Sequence, residues 1–167
     1  MPRGDMSDYT VIGARIESGT TSEILSRLRS FPLGRVLALD ANMVCGKEHL
    51  DTAIEHAFRA FRQNANCAND LLMEIMLYAS GERQISKAQE KMSLKEGGAE
   101  IALVVIGADP LEVVRMLKLR RDDEVLLCDE TKLKRFGISP KEIGAVPRDK
   151  ALDLVLEKVA FVDVLKH

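Results

Sequence analysis

The chain has 167 residues, of which 46% are hydrophobic, 30% charged and 4% aromatic, with no Trp and a net charge of −2. That length fits one domain, 1–167, which buries roughly 70% of its unfolded surface without disulfide or metal staples. Residues 1–63 carry eight bases and eight acids, 64–121 eight and eight, and 122–167 eight and ten, which excludes a basic tail and leaves any nucleic-acid role to a local patch.

At the N-terminus "MPRGDMSD" has no apolar core of a secretion signal, and the Arg3-Gly4-Asp5 tripeptide reads as chance. Thr10–Ile16 is expected as a strand, edge-like because Gly13 and Arg15 interrupt it. Thr20-Thr21-Ser22-Glu23 is a capping box that opens a helix through Ile24, Leu25 and Leu28, ending near Phe31-Pro32. Arg35–Ala41 is a second strand. Leu50, Ala53, Ile54, Ala57, Phe58 and Phe61 follow the i, i+3, i+4 rule of an amphipathic helix. Three Asn between Asn64 and Asn69 break it. Leu71, Leu72, Ile75, Met76 and Ala79 form the next helix, with Gly81 placed to end it.

Ile101–Ile106 is apolar throughout, as in a strand covered on both faces. Asp109-Pro110-Leu111-Glu112 and Ser139-Pro140-Lys141-Glu142 each set a cap, a proline and a glutamate at a helix start. Asp149–Lys166 is the last long helix. The order predicts an α/β protein of the α+β type: a small mixed sheet of three or four strands covered by about seven helices. No apolar run reaches membrane-spanning length, so no membrane partner is expected. Cys45, Cys67 and Cys128 are far apart and form no CxxC pair, which argues against a disulfide framework or zinc site and suits a cytoplasmic protein. Neither a metal nor a cofactor is expected.

The enzymatic motifs are incomplete. Cys45-Gly46-Lys47-Glu48 has Glu48 where a phosphate-binding loop needs Ser or Thr. His49 and His56 lie seven apart on one helix, about 10.5 Å by rise, too far for one metal. Asp40, Cys45 and His49 leave two readings open. They form a nucleophile–base site of a small-ligand-binding or enzymatic protein, or they are a turn-capping acid, a buried thiol and a helix-start histidine.

Arg83, Lys87 and Lys91 recur at i, i+4, i+8, nearly opposite Ile85, Ala88 and Met92. On one helix the apolar set packs inward and the cationic row faces water. Such a row either follows phosphates or is simply solvated.

Asp40-Ala41, Gly46, Glu48-His49, Arg59-Ala60-Phe61, Asn66, Glu74 and Leu77-Tyr78-Ala79-Ser80-Gly81 followed by Arg83-Gln84-Ile85 carry a resemblance. The chain from Asp40 to Met92 resembles the small kinase-binding subunit of the KEOPS complex, the TPRKB family and its archaeal equivalent. The resemblance covers most of the chain and loosens after about Asp122. It implies a noncatalytic regulatory subunit, not an enzyme. Such a subunit binds the N-lobe of the complex's atypical kinase/ATPase subunit and the 3′ CCA end of tRNA. It meets the other KEOPS subunits indirectly and supports formation of threonylcarbamoyladenosine beside the anticodon.

A CCA tail is single-stranded, so its bases stack on flat groups and offer their edges. Arg guanidinium planes or Tyr78 are the stacking candidates. Asn66 and Gln84 are candidates for base edges, and Arg62, Arg83 and Lys87 for phosphates. Tyr78 is equally readable as core with its hydroxyl at the surface, and Asn66 as a turn residue or an N-cap. For the kinase, the final helix is apolar nearly all round from Val159 to Leu165 except Asp163. Val159, Phe161, Val162, Val164 and Leu165 are the interface candidates, with Met73 and Leu77 as a possible extension or as core.

Overall fold

The computed structural model describes residues 8–30 and 35–166. The Arg3–Asp5 tripeptide and the Phe31-Pro32 helix end lie outside them. In chain order the elements are β1 (Tyr9–Ile16), α1 (Thr21–Arg29), β2 (Arg35–Asp40), α2 (Lys47–Arg62), α3 (Leu71–Ser80), α4 (Ile85–Met92), β3 (Glu100–Ile106), α5 (Pro110–Leu117), β4 (Leu119–Arg121), α6 (Glu130–Phe136), α7 (Pro140–Gly144) and α8 (Ala151–Leu165). Four strands and eight α-helices among the described residues make an α+β fold, as expected. The chain forms two compact units: one from the described parts of Met1–Ala41 and Leu94–Leu126, the other from those of Asn42–Ser93 and Leu127–His167.

The first unit holds the sheet, in the order β2-β3-β1-β4. Every pair is antiparallel, not mixed as the sequence suggested. The apolar β3 is an inner strand with Ile101 to Val105 buried, so both its faces are covered. The edge reading of β1 is corrected: it lies between β3 and β4. Gly13 has a different cause. A Cβ there would lie 2.4 Å from the Asp122 carbonyl oxygen and 2.6 Å from Val125 Cγ2. The Gly13 N–H donates to Asp123 Oδ1 at 3.0 Å, and the Asp122 N–H to the Gly13 carbonyl at 2.9 Å. Ile12, Ala14, Leu103 and Val105 pack with Ile24 of α1 and with Val113 and Leu117 of α5. At the start of α1, Thr20 Oγ1 accepts from the Glu23 N–H at 3.2 Å, while the Glu23 carboxylate reaches Arg27 at 3.7 Å.

The second unit is helical. Leu50, Ala53, Ile54, Ala57 and Phe58 form the buried stripe of α2. Asp70 caps α3 by accepting from the Leu72 N–H at 3.0 Å, and Gly81 ends it in the left-handed region at φ 71°. Ser139 and Glu142 exchange both bonds of a capping box at α7. Before α8 a short 3-10 turn takes up Arg148–Lys150, so the helix starts two residues later than the sequence suggested. The sequence reading did not pick out β4 and α6. No helix among the described residues is long and apolar enough to cross a membrane.

Candidate nucleic-acid and partner interface

The nucleophile–base reading of Asp40, Cys45 and His49 fails on hydrogen bonding. His49 is completely buried. Its Nδ1 accepts from the Cys45 backbone N–H at 2.9 Å, and its Nε2 donates to the Ala79 carbonyl at 2.8 Å. Both ring nitrogens are therefore committed, and the ring is neutral. Burial lowers its pKa to about 4, against the pull of the Ala79 carbonyl. An imidazole held this way ties the start of α2 to the end of α3 and has no free nitrogen for a substrate proton. Asp40 closes β2 in the sheet unit and is mostly buried, with a 3-10 turn over Ala41–Met43 following it. No group of three or more His, Cys, Asp or Glu among the described residues is arranged to hold a metal.

A second buried polar set links α2, α3, α8 and the loop before α3. Glu74 is completely buried. Its carboxylate accepts from the Cys67 N–H at 3.1 Å, from the Ala68 N–H at 2.7 Å and from Lys166 Nζ at 2.6 Å. Lys166 also donates to the Tyr78 hydroxyl at 2.9 Å, and that hydroxyl donates to Asp163. His56 Nδ1 meets Asp163 Oδ2 at 3.0 Å, and its ring stacks on Tyr78 at 5.4 Å between centroids. Burial and the Asp163 bond push the Tyr78 phenol above its usual range. Burial alone would raise the Asp163 carboxyl, but bonds from Tyr78 and His56 outweigh it and hold it below the ordinary range. This corrects the stacking role offered to Tyr78, since its ring is inside. Glu74 carried no chemical signal in the sequence, because its partner stands 92 residues away.

The RNA candidates fall into two groups along α3. Arg62 is exposed at the end of α2. Asn66 is half-buried in the following loop and donates through Nδ2 to the Ala68 carbonyl at 2.8 Å. Arg83, Gln84 and Lys87 are exposed at the turn into α4 and on its first turn. The ten residues of α3 stand between the groups in the chain, about 15 Å of helical rise. The cationic row is shorter than its spacing suggested. Arg83 precedes α4, and Lys91 turns inward. Lys91 Nζ donates to the Ser80 carbonyl at 2.7 Å and sits 3.9 Å from the Phe136 ring centroid. Burial accordingly lowers its pKa, with Glu82 pulling the other way. Ala88 and Met92 are buried and Ile85 partly so, as expected. Arg59, one of the residues that carry the resemblance but not one of the RNA candidates, is exposed one turn before Arg62 and adds a base beside it at i, i+3 spacing.

On α8 the faces separate clearly. Val155, Val159 and Val162 are completely buried in the unit's own core, which corrects Val159 and Val162 as interface candidates. Phe161 and Val164, three apart on the other face, are 53% and 62% exposed. Leu165 is half-buried. Leu77 is core, and Met73 is half-buried with its sulfur 3.9 Å from Gln89 Nε2.

The fold is a helix-rich α+β one in which the buried His49 and Glu74 bond groups of the chain itself, while the turn carrying Arg83, Gln84 and Lys87 and the α8 face carrying Phe161 and Val164 are exposed. The model of the family "Kinase binding protein CGI-121" matches residues 18–137. The chain belongs to that family. It is also similar to the regulatory protein Cgi121 of Methanocaldococcus jannaschii, at 25% identity over 139 residues that cover 77% of this chain and 83% of that protein.

Proposed function

We propose that this protein is a noncatalytic, cytoplasmic subunit of a KEOPS-type complex, docking on the N-lobe of the complex's atypical kinase/ATPase subunit and holding the 3′ CCA end of tRNA. Threonylcarbamoyladenosine formation then occurs on the partner subunits. The observation that carries the docking half is the exposure of Phe161 and Val164 on one face of α8, while Val155, Val159 and Val162 hold the opposite face in the core. A large apolar pair shown to water by a firmly anchored helix is suited to a partner surface. The RNA half is supported by Arg83, Gln84 and Lys87 at the α3–α4 turn, exposed and backed by the buried Ala88 and Met92. A net charge near neutrality suits a subunit that adds a few phosphate contacts to an RNA held mainly by others.

Two measurements test the two halves separately. The purified kinase subunit should bind the wild-type chain and fail to bind Phe161→Glu. Intact tRNA should bind more tightly than tRNA lacking its CCA end. Equal binding of Phe161→Glu overturns the docking face, and equal binding of the two RNAs overturns the CCA assignment.

A further inference from the structure

Two of the three thiols lie against one apolar cluster of the helical unit. Cys45 lies just before α2 and is completely buried, in a cluster with Leu133, Phe136, Ile138, Ala151 and Val155. Cys128, just before α6, packs against the same cluster and is half-exposed. It lines a cleft of about 450 Å³ whose wall includes Arg148, Asp149 and Leu152. The third thiol, Cys67, is exposed in the loop before α3.

We propose that Cys45 and Cys128 form a reversible oxidation site, in which a peroxide entering the cleft reacts at Cys128 and Cys45 then closes a disulfide with it. The roles follow from access and burial. Only Cys128 is reached from the cleft. The neighbouring Cys45 thiol lowers the Cys128 pKa; burial opposes this and Lys132 assists. Cys128, together with burial, raises the Cys45 thiol. The thiolate is the reactive form, so Cys128 is the attacking sulfur and Cys45 the resolving one.

The chemistry balances. Cys128 sulfur attacks one peroxide oxygen, the O–O bond breaks, and Cys128 becomes a sulfenic acid as water leaves. Cys45 sulfur then attacks the Cys128 sulfur, the S–O bond breaks, and the proton lost by Cys45 leaves with the hydroxyl as a second water. Two thiols are oxidised by two electrons and one peroxide is reduced to two waters. A thiol reductant reverses the step. The Cys45 backbone is already fixed through its N–H bond to His49 Nδ1 at 2.9 Å. The closing movement therefore belongs to the segment before α6.

The test uses the full chain with hydrogen peroxide, followed by alkylation of remaining thiols and mass spectrometry without reduction. The expected result is a monomer lighter by two hydrogens, with one alkylated thiol at Cys67 and a linked peptide pair containing Cys45 and Cys128. In Cys45→Ser, dimedone should trap a sulfenic acid at Cys128; in Cys128→Ser, Cys45 should stay reduced. Wild-type protein that keeps Cys45 and Cys128 alkylatable while Cys67 is oxidised overturns the proposal. So does oxidation that yields only Cys67-linked dimers, or a Cys45→Ser chain whose Cys128 gives no dimedone adduct.

Discussion

Acidification from pH 6.5 to 4 isolates the contribution of one buried imidazole. His49 has its proton on Nε2, bonded to the Ala79 carbonyl, and its Nδ1 faces the Cys45 N–H. A second proton would have to enter at Nδ1, where a donor already points, in a site without water contact. The folded pKa is accordingly lowered from 6.5 to about 4. As pH falls through this window the unfolded chain takes up a proton that the folded chain refuses. The stability is fully present above pH 6.5 and is lost progressively towards pH 4. A shift of this size corresponds to about 3 kcal/mol, lost at no more than about 1.4 kcal/mol per pH unit. The comparison is His49→Gln, which is less stable at pH 7 by about 1–3 kcal/mol for a broken buried bond but has nothing to titrate there. Urea midpoints followed by circular dichroism at steps from pH 7 to 4 measure both, since the chain has no Trp to report by fluorescence. Asp122, Asp123, Asp163 and Glu142, whose pKa values lie below the ordinary range, begin to act only at the acid end of this window and equally in both proteins. Parallel stability–pH curves for wild type and variant between pH 6.5 and 4 would refute the reasoning.

Phe161→Glu and Val164→Glu should each abolish binding to the kinase subunit in a pull-down while stability changes by no more than about 0.5 kcal/mol, as for surface sites; unfolding instead would put this face in the core. Arg83→Glu with Lys87→Glu should weaken tRNA binding and flatten the log–log salt slope by about 0.7 per lost phosphate contact. Filter binding with intact and CCA-trimmed tRNA should find most of that loss only in the intact RNA; an equal loss in both makes the turn a general electrostatic face. Lys166→Met should destabilise by about 3–5 kcal/mol in urea, because Glu74 is left charged and buried. A loss below about 1 kcal/mol would mean that the Cys67 and Ala68 amides satisfy Glu74 alone.

The regular elements were legible in the sequence because local rules govern them. The α2 stripe, the β3 apolar run, the Gly81 stop and the Ser139 capping box all depend on residues within a turn or two of one another. What escaped depends on contacts from far along the chain. Gly13 read as a strand interruption, yet its missing side chain makes room for Asp122 and Val125, more than a hundred residues later. Lys91 had the spacing of a solvated base, and nothing near it announced the Phe136 ring that draws it inward. Alternation around α8 was hidden by uniform apolarity. Only packing separated the buried Val159 and Val162 from the exposed Phe161 and Val164. The candidate RNA residues were readable as types, but not their division between the two ends of α3.

The bond between Glu74 and Lys166 also sets an order of events during synthesis. The two residues are separated by 92 positions. At about 5–20 residues per second, Glu74 waits roughly 5–18 seconds on a growing chain before its ammonium partner is made. Through that interval the carboxylate stays hydrated rather than enter the core unpaired. The N-terminal end of α3 and the Cys67–Ala68 turn, whose amides point at the same carboxylate, therefore settle only after α8 has emerged. A ribosome stalled before Lys166 holds a nascent chain whose helical unit is still open at this corner.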